Sequence, residues 1–158
     1  MTRINCIPPS ELSGPHLLAE YRELPRVFAL VRAAIARGET PGDPRNPPAY
    51  TLGKGHVRFF YSRLSYLAKR QVSLIAEMQR RGYRPTYREA EDLLSGFPSE
   101  WCNDWNPTSE AMTVNRERIR ERLAGTARRD AGHAADDSPA LHSLQCCDAT
   151  LSLLNQPE

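Results

Sequence analysis

Two stretches of this sequence place apolar residues at alternating steps of three and four, and that period dictates what the chain can fold into. Between residues 16 and 37 apolar groups stand at Leu17, Tyr21, Leu24, Phe28, Val31 and Ile35. This spacing draws one stripe along an α-helix, and Gly38 is its natural stop. From His56 a second stripe runs through Val57, Phe60, Leu64, Leu67, Gln71, Leu74 and Met78, ending before Gly82, with Gln71 the one amide on an apolar face. A third helix, capped by Thr108 or Ser109, is expected to reach about Leu123. Its Met112, Ile119 and Leu123 should face inward, with Arg116, Arg118, Arg120 and Arg122 projecting elsewhere. No convincing strand pattern appears, so the expected fold is all-α: a compact single domain of three main helices joined by long loops.

Two features interrupt this plan. Pro25 falls inside the first helix, where it has no N–H and crowds the carbonyl of Tyr21. The helix must therefore kink or leave that carbonyl for another partner. The segment from Gly38 to Gly55 is rich in proline and glycine and reads as a loop with at most a short extended piece at Tyr50 to Leu52. Tyr87 to Leu94 reads as a short helix or turn, and Phe97 to Pro107 as an aromatic loop packed over the helices. The domain should end near residue 125, with 126–158 an acidic, disordered tail rich in Ala, Asp and Ser.

Size and charge narrow the function. With 158 residues, 40% of them apolar, the chain can fill one modest core. It has no run of about 18 apolar residues to span a membrane and no secretory leader pattern, so a soluble, cytoplasmic protein without membrane association is expected. Residues 1–125 carry 19 basic and 14 acidic groups, whereas 126–158 carry 2 and 5. Nineteen of the 21 cations are Arg, the residue suited to bidentate phosphate contact. Cys6, Cys102, Cys146 and Cys147, with His16, His56, His133 and His142, show no zinc-type spacing. Neither a metal nor another cofactor is expected.

Candidate chemistry gathers at two places. On the first helix His16, Glu20, Glu23 and Arg26 follow one another at i, i+4, i+7 and i+10, with Arg22 beside Glu23, so a carboxylate is set among cations. A solvated helix face with intrahelical ion pairs, each worth a few tenths of a kcal/mol, would show the same pattern. At the N-terminus, residue 2 is Thr, small enough for removal of the initiator Met to leave a free α-amine. With a pKa of about 7.7 to 8 such an amine is roughly a tenth neutral at pH 7, and it can form an imine with a sugar aldehyde as a Schiff-base lysine does. Lys54, in its Gly-Lys-Gly setting, is the competing amine and reads as solvated.

Longer runs join these features. Thr2-Arg3-Ile4-Asn5, Ser10-Glu11-Leu12, His16-Leu17 and Ala19 through Phe28 closely resemble the phage-type endonuclease V family. The likeness continues in Leu52-Gly53, Gly55-His56-Val57, Phe59-Phe60-Tyr61, Lys69-Arg70-Gln71, Leu74-Ile75-Ala76-Glu77 and Arg81-Gly82, covering about residues 2 to 83, and more loosely 97 to 124. That family comprises pyrimidine-dimer DNA glycosylases with AP-lyase activity, distinct from the deoxyinosine-specific enzyme of similar name.

The resemblance implies an N-terminal segment threaded between the helices, with the Thr2 amine near Glu23 as the catalytic pair. It implies attack of the amine on C1′ of the 5′ nucleotide of a cyclobutane dimer, then strand cleavage by β-elimination. Arg3, Arg22 and Arg26 look like the family's phosphate and active-site cations, His16 and Gln71 match polar positions near the site, and Arg118 and Arg122 resemble backbone-contacting cations of the third helix. The implied partner is damaged double-stranded DNA, bound by a monomer. The family's aromatic C-terminal segment has no counterpart, since no Trp, Tyr or Phe follows Trp105. Two alternatives therefore stand beside the dimer reading: a lyase for abasic sites or other damaged pyrimidines, and a noncatalytic DNA-binding module.

Overall fold

The computed structural model describes residues 4–86 and 91–136. It is all-α: α1 spans Gly14–Ala36, α2 His56–Phe59, α3 Leu64–Arg80 and α4 Ser109–Asp136, with short 3-10 turns at Pro9–Glu11, Glu91–Leu94 and Ser99–Trp101. The first four residues of the short element expected over 87–94 lie outside the described residues. Two compact units follow one another along the chain, residues 1–121 and 122–158, the second beginning within α4. Among the described residues no helix is long and apolar enough to cross a membrane.

α1 starts where Ser13 accepts the His16 N–H at its side-chain oxygen, with Pro15 in the first turn. It ends at Gly38, whose φ of +77° lets its own N–H reach Ile35 O while Glu39 N–H reaches back to Ala34 O. The buried row along α1 is Leu17, Tyr21, Leu24, Phe28 and Val31, joined by Glu20, Val27 and Ala34. It packs chiefly on α3, whose Leu64, Leu67, Leu74 and Met78 are its counterpart. Each such side chain taken fully out of water contributes about 1.5–3 kcal/mol.

The helix runs unbroken through Pro25. The Tyr21 carbonyl, which residue 25 cannot serve, accepts instead from the side-chain amide of Gln71 at 3.3 Å. The lone amide on the α3 stripe thus repairs the lone proline inside α1. Gln71 itself is only 1% exposed.

Where one continuous helix was expected from His56, the chain makes two. Phe59, Phe60 and Tyr61 are all buried. The stripe read from the sequence includes only Phe60 of these three. The chain breaks at 60–63 instead, with Arg63 in a non-helical conformation, its guanidinium over the Phe59 ring and donating to Phe59 O. Phe59 and Phe60 form a cluster with Trp105, which stacks on Tyr50 and meets Phe59, Phe60 and Tyr66 edge-on. Trp101 is buried in the core, so both tryptophans serve packing.

α4 is capped by Thr108, whose Oγ1 accepts from Ala111 N–H at 3.2 Å. Its buried face is Ala111, Asn115 and Ile119, whereas Leu123, expected to point inward, is 46% exposed. The helix also continues through Gly125, where the sequence pattern ends it, as far as Asp136. Five alanines between 124 and 136 explain this, since intrinsic helix propensity outlasts the apolar stripe. Residues 137–158, Cys146 and Cys147 among them, lie outside the described residues.

Candidate active site

The segment Ile4–Ile7 is nonhelical and buried among the helices. A buried nonhelical segment in a helical protein has no ladder to satisfy its backbone, so its polar groups must find side chains. Ile4 N–H donates to His56 Nε2 at 3.0 Å, and Ile4 O accepts from the Tyr50 hydroxyl at 3.4 Å. Asn5 N–H donates to Glu20 Oε1 at 3.1 Å, and Asn5 O accepts from the Tyr66 hydroxyl at 3.4 Å. Cys6 N–H donates to Asn115 Oδ1 at 2.9 Å, and Ile7 O accepts from Arg70 Nη1 at 2.5 Å. Four helices and one loop thus grip four residues.

The charge at the centre of this grip is Glu20, 2% exposed. Arg70 donates to both of its oxygens, at 2.9 and 3.1 Å, and Asn5 Nδ2 donates to Oε2 at 2.7 Å, while Asn115 Nδ2 closes the ring on Asn5 Oδ1 at 3.0 Å. Burial opposes the charge on Arg70, and the adjacent Glu20 carboxylate outweighs it, so the guanidinium's pKa lies above its ordinary value. A buried pair is sustained only when its remaining donors and acceptors are met, as they are here. Sequence reasoning set Glu20 on a charged border. Its spacing, three after Leu17 and four before Leu24, already puts it on the stripe, but Arg70, Asn5, His56 and Asn115 carried no signal as a group because they come from four separate elements.

One turn beyond Glu20 lies Glu23, with a side chain 29% exposed, which accepts from Arg26 Nη1 at 2.6 Å. Arg26 is 69% exposed in its side chain and Arg22 is also exposed. The structure therefore brings Glu23 and Arg26 together at the surface edge of α1. His16, two turns earlier, bonds through Nδ1 to Ser13 Oγ at 2.7 Å. Gln71 is buried on α3, and its Oε1 has no hydrogen-bond partner among the described residues. Arg118 on α4 pairs with Glu121 at 2.9 Å, and Arg122 is exposed in the second unit. Thr2 and Arg3 lie outside the described residues.

Other nucleophiles are poorly placed to compete. Burial pushes the pKa of the Cys6 thiol above its ordinary value, which keeps it protonated at neutral pH. Of the two lysines, Lys69 is paired with Asp104, and Lys54 sits exposed in a turn.

An all-α domain with its N-terminal segment drawn through the core, against the buried Glu20–Arg70 pair, is the frame on which the family comparison falls. The family model described as pyrimidine dimer DNA glycosylase matches residues 1–90, more than half of the chain, and the protein belongs to that family. It is thus a DNA repair enzyme of the glycosylase class, and DNA is its substrate.

Proposed function

We propose that the protein is a bifunctional pyrimidine-dimer glycosylase and AP lyase whose nucleophile is the α-amine of Thr2 after loss of Met1, with Glu23 as the catalytic carboxylate. The observation that carries this reading is the burial and side-chain grip of Ile4–Ile7 beside Glu20. Two residues of extended chain cover at most about 7 Å, so the amine is tethered within that distance of the Ile4 nitrogen. Glu23 lies about 4.5 Å further along α1 than Glu20. Holding amine and carboxylate on one short tether replaces a bimolecular encounter with an effectively intramolecular one.

The chemistry then balances without a cofactor. The neutral amine attacks C1′ of the 5′ nucleotide of the dimer, and the C1′–N bond breaks with its electron pair leaving on the base. Opening of the C1′–O4′ bond yields a protonated imine to the sugar. Glu23 stabilises this developing positive charge and accepts the proton from C2′, after which the C3′–O bond breaks and the 3′ phosphate leaves. Water hydrolyses the imine and returns the free amine.

Arg3, Arg22 and Arg26 are assigned to the phosphates flanking the lesion, with His16 and Gln71 as polar groups beside the site. Arg118 and Arg122 are assigned to more distant backbone phosphates, giving salt-sensitive and largely sequence-independent binding by a cytoplasmic monomer. The test is borohydride trapping on two labelled duplexes, one with a cis-syn thymine dimer and one with an abasic site, followed by mass mapping of the adduct. Covalent adducts at Thr2 on both establish the reading. An adduct on the abasic duplex alone reduces it to a lyase, and none on either removes the amine mechanism.

A further inference from the structure

We propose that His56 is a positioning residue for this reaction: its ring, through the Ile4 N–H, sets where the N-terminal amine is delivered. The inference rests on the assignment of that amine as nucleophile and goes beyond it, since His56 is buried at 4% exposure and reacts with nothing itself.

Its protonation state follows from its neighbours. The Thr51 carbonyl lies 2.6 Å from Nδ1 and can only accept, so Nδ1 carries the hydrogen. Nε2 is then the bare nitrogen, and it accepts the Ile4 N–H at 3.0 Å. The ring is held on its faces and edges as well, lying edge-on to Tyr50 and Phe60 at 5.5 Å each. The backbone beneath it is equally constrained. Gly55 has a φ of +90°, and a Cβ there would come within 2.8 Å of the Pro47 ring, so only glycine makes this turn. Arg58, two residues on, ties α2 to the preceding loop through Glu39 at 2.6 Å and Asn46 at 3.1 Å.

Among the described residues the Ile4 N–H is the backbone donor nearest the terminus. The bonds to Asn5, Cys6 and Ile7 fix the segment further in, but rotation about the Ile4 backbone would still swing the preceding residues if nothing held that N–H. His56 removes this freedom. The contact is thus placed to govern the amine's reach and not merely the segment's burial.

Two substitutions in the full-length protein separate this role from simple packing. In His56→Gln the side-chain oxygen stands where Nε2 stood and keeps the bond to Ile4, while the Thr51 side is lost. In His56→Asn the shorter amide keeps Thr51 and cannot reach Ile4. With saturating abasic-site duplex, the rate of borohydride-trapped imine should fall by about 10-fold or more in His56→Asn and stay near wild type in His56→Gln, because small misplacements of reacting groups cost that much or more. Affinity for the dimer duplex, and labelling of the N-terminal amine by formaldehyde with borohydride, should be the same in all three proteins. Equal trapping rates in the two variants, or parallel losses of trapping, affinity and labelling, would overturn the inference. Failure of the wild type itself to trap at Thr2 would instead remove the amine assignment on which it rests.

Discussion

Pro25 and Gln71 make a prediction that can be worked through quantitatively. The Tyr21 carbonyl lies in dry surroundings, with Leu24 and Gln71 at 0% and 1% exposure, and its partner is Gln71 Nε2. Gln71→Leu preserves volume but takes away that donor, and a buried carbonyl left without a partner costs about 1–3 kcal/mol. The same change also removes Oε1, an acceptor already unpaired, so the net effect of the single variant should be small. Pro25→Ala supplies a helical N–H to Tyr21. Proline is about 3 kcal/mol worse than Ala inside a helix, and the Gln71 amide already recovers about 1 kcal/mol of that as one hydrogen bond, so this variant should be stabilised by about 2 kcal/mol. In the Pro25→Ala background Gln71 no longer has a carbonyl to rescue, and Gln71→Leu should become favourable. The double-mutant cycle should therefore give a coupling of about 2 kcal/mol. Urea unfolding followed by far-UV circular dichroism reads this as a midpoint displaced by about 1 M from additivity, for a slope of about 2 kcal/mol/M. Additivity to within about 0.5 kcal/mol would refute the idea that the amide repairs the proline.

Other consequences can be checked alongside it. Glu23→Gln should bind dimer DNA nearly as well as the wild type but lose strand cleavage by about 100-fold or more, in the range of a lost general base; unchanged cleavage in a nicking assay would move the catalytic role to another group. Replacing Arg118 and Arg122 together by Gln should lower the slope of log K against log salt by about 1.8 if each meets one phosphate, and a titration with unchanged slope would take both off the DNA. Hydrogen bonds from Arg80, then Arg81, hold the Glu77 carboxyl down from 4.5 to about 2. Because the folded-state pKa is the lower one, its contribution is present above 4.5 and lost as pH falls towards 2. The stability gap between wild type and Glu77→Gln should therefore close over that window, and a gap independent of pH would show that the ion pairs contribute nothing.

The helical class was legible because it depends on local spacing alone. The stripes at 17–35 and 64–78 lie where period and glycine stops put them, since a helix needs only that its apolar residues recur on one side and that its last turn be closed. The membership of the family was legible for a related reason: runs such as Ala19–Phe28 keep their order in the chain. Elsewhere local spacing misled. The break between α2 and α3 falls at the aromatic cluster, and the stripe's period, which includes only Phe60, gives no sign that Phe59 and Tyr61 are buried beside it. α4 runs past its apolar stripe because its alanines need no partner to stay helical.

The sequence by itself determined the helical class, where α1 and α3 stop, and that residue 25 could not serve the Tyr21 carbonyl. Only the tertiary structure decided which group does. It also decided that Glu20 is a buried anchor while Glu23, one turn on, reaches the surface, and that Glu20, His56, Arg70 and Asn115 meet on the segment around Asn5. The reason is physical: an apolar stripe is recognised by its own period, whereas a buried polar group is defined by the donor or acceptor that satisfies it. Those partners lie 15 to 110 residues away along this chain.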